Sequence, residues 1–423
     1  MKHRGRGLAA IEYPTGMNQG GDPSQAWVKI KPDGRVDVFA GTVDLGQGSK
    51  TVHTQIVADT LGVPYESVNM DVSNTDSSPL CTGTFASRGT FIGGLAVLKA
   101  AKKAKEKMLE VAGQAMEIDP ADLDVEDGMV YVKGSPDKKM SVGEVSAAAT
   151  WGFGELITGT GVHLKAYSMP DPDTGVCDPD HAISYAACVV DVEVDDETGV
   201  VTVLSMVQAY DVGHAINPTL VEGQIEGGAM MGLGLGLLEQ SYPHYPSTEG
   251  RGNEFGAYLM PGLPDFPEIT SVIVENPSAD GPFGAKAIGE MANNAQGPAI
   301  CSAIHDAVGV WVPQQPATPE RVLRALQAKA AGTEEPRREG KMVIFDEDIS
   351  VIGSSVTQTP TASCTADAIA GGCALFAISP MPFAPYGPSA EGFSMMIVSI
   401  FGSPSIPGAK YDPNSPPRCS GLG

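Results

Sequence analysis

Several common features are scarce in this chain, and each absence removes a class of function. In 423 residues no uninterrupted apolar run approaches the ~20 residues that a membrane-crossing helix needs. The basic start, Met1-Lys-His-Arg-Gly-Arg6, is followed by no apolar signal core, so the chain reads as cytoplasmic, or as exported only with a partner. Positive charge is short: 27 Lys and Arg stand against 51 Asp and Glu, a net charge of -24, which argues against nucleic acid or an anionic membrane surface as a partner. Cys81, Cys177, Cys188, Cys301, Cys364, Cys373 and Cys419 are odd in number, scattered, and include no CxxC pair. That spacing argues against an iron–sulfur cluster or structural zinc within the chain, and the expected state is reduced, mostly buried thiols. The histidines are equally dispersed. His53 and His305 fall within helical patterns and read as packing or surface residues rather than ligands. No GxGxxG flavin or nicotinamide fingerprint occurs either.

What is present suits two or three domains of ordinary size. Residues Ala26 to Val43 alternate as strands about a Pro-Asp-Gly turn, a hairpin signal. Ser49 to Leu61 then takes helical spacing, Val68 to Val72 is strand-like, and Gly93 to Val111 predicts a long amphipathic helix with a Lys-rich outer face. Glu117 to Lys139 reads as a small strand–turn–strand insertion. A second unit opens near Ser184, with strands at Ala186 to Val194 and Val200 to Ala209 and a small-residue-rich helix from Val221 to Leu238. Both halves share the order hairpin, Gly-rich turn, helix, which predicts an α+β fold of two similar mixed-sheet subdomains, residues 1–180 and 181–330. After about Thr333 the character changes to a charged linker and a tail, 331–423, rich in Gly, Pro and Ser. The tail is expected to lie against a neighbouring chain or to be poorly ordered.

Four segments carry candidate chemistry. Gly41-Thr-Val-Asp-Leu-Gly46-Gln47-Gly48-Ser-Lys-Thr51 joins a strand to a helix. It fails as a P-loop because Ser49 separates the last Gly from Lys50, leaving a Gly-flanked Gln47 at a helix start, suited to an anionic or pterin-like ligand or to an ordinary tight turn. Cys81-Thr-Gly-Thr-Phe-Ala86-Ser87-Arg88-Gly89-Thr90 opens the long helix. Its hydroxyls, Arg88 and free amides suit a phosphate, and equally a capped helix start. Asp211-Val-Gly-His-Ala-Ile-Asn217-Pro, with Gln224 further on, has the amides and carboxylate to meet a nucleotide, or to form plain Asx turns. Gly281-Pro-Phe-Gly-Ala-Lys286-Ala-Ile288-Gly-Glu290 sets one carboxylate after glycine, beside small residues and ahead of a helix predicted from Pro298 to Val310. That pattern suggests a buried general base beside a bulky cofactor, although a lone glutamate there also serves the helix dipole.

Together, DLGQGSKTVHTQ, GTFASRGTFIGG, DVGHAINPTLVEGQIEGG and GAKAIGE resemble the molybdenum-cofactor-binding half of the large subunit of the xanthine oxidase family of molybdenum hydroxylases, in order and with compatible spacing from about Gly5 to Leu326. The segment Pro316-Ala-Thr-Pro-Glu-Arg-Val-Leu-Arg-Ala-Leu326 resembles the usual end of such subunits, while Met230-Met231 departs from them where relatives often carry Gln.

The resemblance implies the fold of the aldehyde oxidase and xanthine dehydrogenase cofactor domain, with Glu290 as catalytic base. It further implies that Gly46, Gln47 and Gly48, and Ala86 to Thr90, surround the pterin and its phosphates. Asp211, Asn217 and Gln224 would meet the nucleotide of a molybdopterin cytosine dinucleotide, with Lys286 and Ile288 beside the cofactor. The metal would be held by the cofactor's own sulfurs, without a protein ligand. The implied reaction is hydroxylation of an N-heteroaromatic, such as a purine or nicotinate, or of an aldehyde, with water as oxygen source. Alternatives on the same scaffold are oxidation of CO or an aromatic acyl-CoA, or a cofactor-holding paralogue without turnover. The family's first half has no counterpart here. The chain is therefore expected in a hetero-oligomer with a second molybdopterin-binding subunit, a [2Fe-2S] subunit and an FAD subunit.

Overall fold

The computed structural model describes residues 1–17, 22–72, 74–165, 171–176, 182–240 and 258–333, so the linker and tail expected over 331–423 lie almost wholly outside the described residues. In chain order the strands are β1 (Lys2–Pro14), β2 (Ser24–Ile30), β3 (Val36–Ala40), β4 (Val68–Val72), β5 (Leu123–Glu126), β6 (Met129–Val132), β7 (Ser135–Ser141), β8 (Ile157–His163), β9 (Ile183–Asp195), β10 (Val201–Asp211) and β11 (Glu268–Val274). The helices are α1 (Ser49–Leu61), α2 (Gly94–Met116), α3 (Val142–Ala147), α4 (Pro218–Leu237), α5 (Gln296–Val308) and α6 (Pro319–Ala331).

The hairpin of β2 and β3 forms because apolar residues alternate about a turn that closes at Gly34, where φ is +83°. Ala26, Val28, Ile30, Val36, Val38 and Ala40 face inward and are all but inaccessible. Helix α1 then crosses to β4, which pairs parallel to β3, and β8 closes the other side, giving the sheet β4-β3-β2-β8. The second unit repeats the plan. Strands β9 and β10 form a hairpin, α4 crosses to β11, which pairs parallel to β10, and the sheet order is β1-β9-β10-β11. The two similar mixed-sheet subdomains are therefore present, each with its own apolar core. The insertion expected near Glu117 to Lys139 is the three-stranded meander β5-β6-β7, which runs into α3 through a Ser141–Glu144 capping box.

The contiguous division at residue 180 needs one correction. Strand β1 belongs to the second sheet, paired antiparallel with β9 along its whole length from Lys2 opposite Asp195 to Pro14 opposite Ile183. The outer strand of each sheet is thereby equivalent: β8 in the first, β1 in the second. Both carry a Gly-x-Gly pair pressed against a helix. A Cβ on Gly159 or Gly161 would lie 2.0 or 1.9 Å from the carbonyl oxygens of Ala100 and Ala96 in α2. A Cβ on Gly5 or Gly7 would lie 2.2 or 2.0 Å from those of Ala303 and Ala299 in α5. Glycine is required there because helix backbone rests directly on strand backbone.

Of the described thiols, Cys81 and Cys188 are free, and Cys188 is buried as expected.

Candidate cofactor site

The loops that end β3 and β10, and the turn that opens α2, come together between the two sheets. Each is shaped by its own short-range bonding. In Gly41 to Gly48, the Asp44 carboxylate accepts the Gly46 N–H and the Lys50 N–H, both at 2.8 Å, and so caps the first turn of α1. Burial works to raise the Asp44 carboxyl, but the backbone donors of Lys50, Gly46 and Gly48 outweigh it and hold the group below its ordinary value. Gly46 and Gly48 have φ of +107° and +86°, a region open to glycine, and a Cβ on Gly48 would come within 2.7 Å of Leu220 in α4. The Gln47 side chain folds back on its own loop, donating to the Val43 carbonyl at 2.9 Å and the Ser49 hydroxyl at 3.2 Å.

Ahead of α2, Ala86 and Ser87 both adopt left-handed conformations, φ +48° and +51°, without being glycine. Such strain persists only where surrounding contacts enforce it. One is the Gly16 N–H, which donates to the Ala86 carbonyl at 2.9 Å. Another is Arg88, which is wholly buried and bonds the Asp22 carboxylate at 3.2 Å, the Asp22 and Pro23 carbonyls at 2.7 and 3.1 Å, and the Gly83 carbonyl at 2.6 Å. The guanidinium also donates to Cys81 Sγ at 3.0 Å. Burial pushes the Cys81 thiol up, but Ser24 and Arg88 outweigh it and hold it below its ordinary value. The phosphate-binding part considered for the Arg88 side chain is thus not what the geometry provides. Its donors are consumed inside the protein, where the charge shapes the backbone of the turn instead. From Gly89 to Gly93 the chain makes a wide π-type turn and continues into α2.

In the second unit Asp211 ends β10 and Asn217 caps α4, accepting the Leu220 N–H at 3.1 Å and donating to Gln55 of α1 at 3.1 Å. Asp211 and Lys286 pair with each other, Oδ2 to Nζ 2.7 Å, with relative exposures of only 4% and 9%. The Asp211 carboxylate also accepts the Gly213 N–H at 3.1 Å, so its part is to anchor Lys286 and the loop before Glu290.

A cleft of about 50 Å³ opens where these parts meet. Gln47 and Thr90 line it from the first unit, and Asn217, Gln224, Lys286 and Ile288 line it from the second. These six expected residues are brought together. Gly46, Gly48 and Gly89 shape its edges, and Ala86, Ser87, Arg88 and Asp211 stand behind or beside it. Although the chain is strongly acidic, no Asp or Glu is among the lining residues. The N-terminal turns of α1 and α4 and the π-type turn ahead of α2 border it, so amide and hydroxyl donors meet favourable helix-dipole ends. That donor set fits a phosphorylated, anionic group, and the volume fits one end of a large ligand.

Glu290 lies beside this cleft at the start of a short 3-10 turn, Glu290–Asn293. It is exposed, not buried as the sequence suggested. The Ser87 hydroxyl donates to Glu290 Oε2 and accepts the Glu290 N–H at 2.9 Å. The Tyr13 hydroxyl donates to the same Oε2 at 3.2 Å. A Cβ on Gly289 would lie 2.8 Å from Ser87 Oγ, so the glycine before the carboxylate allows this approach. Sequence reasoning missed Tyr13, Asp44 and Asp22. Asp44 had a local signal, a carboxylate just ahead of a helix start; Tyr13 and Asp22 had none, since their partners are remote in the chain. Among the described residues, no group of three or more His, Cys, Asp or Glu is placed to hold a metal ion, and no helix is long and apolar enough to cross a membrane.

Two mixed α+β units closing glycine loops and helix N-termini on a shared cleft with no Asp or Glu among its described lining residues define a protein that cradles a large cofactor. The chain belongs to the xanthine oxidase family of molybdopterin-binding large subunits: the molybdopterin cofactor-binding domain matches residues 1–267. It is 32% identical over 312 residues to the nicotine 6-hydroxylase large subunit of Paenarthrobacter nicotinovorans, covering 71% of this chain and 36% of that one. It is also 32% identical over 331 residues to the probable hypoxanthine oxidase XdhD of Escherichia coli K12, covering 77% and 32% respectively. Quinoline 2-oxidoreductase from Pseudomonas putida 86 superposes with a TM-score of 0.68 at 31% identity, covering 77% of this chain and 42% of that structure. The chain thus spans about a third of the length of the curated relatives it matches.

Proposed function

We propose that this chain is the molybdopterin-binding, base-bearing part of a molybdenum hydroxylase that oxidises an N-heteroaromatic or aldehyde substrate with water as oxygen source. The observation that carries the reading is the placement of one exposed, hydrogen-bonded carboxylate, Glu290, beside a cleft that has no Asp or Glu among its described lining residues. The bound cofactor would supply the redox centre and the activated oxygen. Thr90, Asn217 and Gln224, with the backbone amides of the glycine loops, would hold its anionic end, while Gln47 and Lys286, bonded within their own loops, would shape the cleft; a molybdopterin cytosine dinucleotide is the form proposed. Glu290 would serve as the general base of the hydroxylation, with Ser87 holding its carboxylate in place.

An N-heteroaromatic is put ahead of an aldehyde because nicotine, hypoxanthine and quinoline name relatives at 31–32% identity, against 28–29% for two aldehyde oxidoreductases. A second molybdopterin-binding subunit would cover the open side of Glu290, and [2Fe-2S] and FAD subunits would carry electrons away. The test is metal and nucleotide analysis of the complex from its native host. Near-stoichiometric molybdenum with released CMP is expected, followed by turnover of heteroaromatics with an artificial acceptor. Glu290→Gln should retain the cofactor and lose turnover by at least ~100-fold, the scale of general-base catalysis. Absence of molybdenum and nucleotide from the intact complex, or wild-type turnover by the variant, refutes the reading.

A further inference from the structure

Three segments remote in sequence meet at the Glu290 carboxylate, and one of them carries a residue that no local sequence motif singles out. Tyr13 is the penultimate residue of β1. Its backbone is fixed on both sides: Tyr13 stands opposite Ser184 in the β1–β9 register, the Thr15 N–H donates to the Ala182 carbonyl at 2.8 Å, and the Gly16 N–H donates to Ala86 at 2.9 Å. The phenol is half-buried and its hydroxyl reaches Glu290 Oε2 at 3.2 Å. Ser87 donates to that same oxygen. Both donors therefore act on Oε2, and Oε1 has no partner among the described residues.

We propose that Tyr13 is a positioning residue for Glu290: with Ser87 it fixes Oε2, stops the carboxylate from turning, and presents Oε1 as the oxygen that takes the proton. The proposal rests on the reading of Glu290 as base. Two donors on one oxygen draw negative charge towards it and restrict rotation about the last side-chain bond, so the base is presented in a single orientation. Burial, and next the facing Glu290 carboxylate, push the Tyr13 phenol above its ordinary value, so it stays protonated and remains a donor across the working pH range. The other charged groups nearby are engaged elsewhere. The Arg88 guanidinium turns inward to Asp22 and Gly83, Lys286 is bound to Asp211, and Glu12 projects from the opposite face of β1. Tyr13 and Ser87 are thus the side chains that hydrogen-bond Glu290 among the described residues.

The test uses the assembled, cofactor-loaded complex. Tyr13→Phe keeps the ring and removes the donor. The expected result is unchanged molybdenum content, kcat lowered about tenfold, KM within about twofold, and the acid limb of kcat/KM moved to higher pH, because removing a donor from a carboxylate disfavours its charged form. Replacing Tyr13 with 3-fluorotyrosine keeps the hydroxyl and strengthens the donor, and should move the same limb to lower pH, a change no purely structural role would produce. A wild-type acid limb in Tyr13→Phe overturns the proposal, as does a loss of molybdenum, which would place Tyr13 in cofactor retention. Should Tyr13→Phe fail to assemble, the fluorotyrosine complex decides alone. Glu290→Gln is run alongside: if it turns over at the wild-type rate, the reading of Glu290 has failed, whereas an inactive Glu290→Gln with an unshifted Tyr13→Phe removes only the role of Tyr13.

Discussion

His53 shows how one residue ties the cofactor loops to the stability of the whole. It lies in α1, fully buried, with Nε2 against the Gly89 carbonyl at 3.1 Å and Nδ1 without a partner. Burial lowers its pKa from 6.5 to about 4, opposed only in part by the Gly89 carbonyl and Asp44. The unfolded chain therefore takes up a proton near pH 6.5 that the native state refuses until about 4. Stability from the neutral imidazole is present above that window and is lost as pH falls through it, by about 3 kcal/mol in all. Urea midpoints measured from pH 7 to 4.5 should fall in the wild type, and this part of the slope should vanish in His53→Gln. The expectation that His53 is a packing residue holds, with the added role of joining α1 to the turn that opens α2.

At the scale of elements, the helix-on-strand contacts are the least tolerant part of the fold. In Gly161→Ala the new methyl would sit 1.9 Å from the Ala96 carbonyl oxygen and force α2 off β8. That should cost about 3 kcal/mol, near the top of the range for overpacking. Val162→Ala, at a position 54% exposed on the outer side, should change stability by less than about 0.5 kcal/mol. Denaturant midpoints of the two variants make the comparison.

These elements also show what sequence can and cannot convey. Helix α1 and strand β4 were legible to the residue, because Val52, Ile56, Val57 and Leu61, and the run Val68 to Val72, carry periodicity in themselves. Strand β1 was not. Lys-His-Arg-Gly-Arg-Gly-Leu-Ala-Ala has little alternation, since its small residues are matched to α5 and its pairing to β9, both distant in the chain. The site divides the same way. The glycine loops and the Glu290 turn were visible as local motifs. Whether the charge of Arg88 faced a ligand or the interior depended on Asp22 and Gly83, which no local pattern connects to it.

For the whole molecule, the cleft between the units is the coupling point. Gln47 and Thr90 come from one core and Asn217, Gln224 and Lys286 from the other, so a ligand there is bound only when both units are in place. Loading should stabilise the folded chain by mass action, by about 4 kcal/mol for each thousandfold excess over Kd. Complex isolated from a host unable to make the pterin should accordingly melt at a lower temperature than loaded complex in the same buffer, and equal melting temperatures would show that the cleft does not hold the group.

The placement of β1 also has a bearing on how the chain is made. Within this chain Lys2–Pro14 leaves the ribosome before its partner β9, which follows only after everything from Thr15 to Ala182. At ordinary translation speeds that interval is on the order of ten to thirty seconds. During it the first sheet can close on its own helices while the opening strand waits, its backbone unpaired and its glycines uncovered. Tyr13, the residue proposed to steady Glu290, thus rides on a strand made well before its partner, so the base does not reach its final setting until β9 has been made and paired.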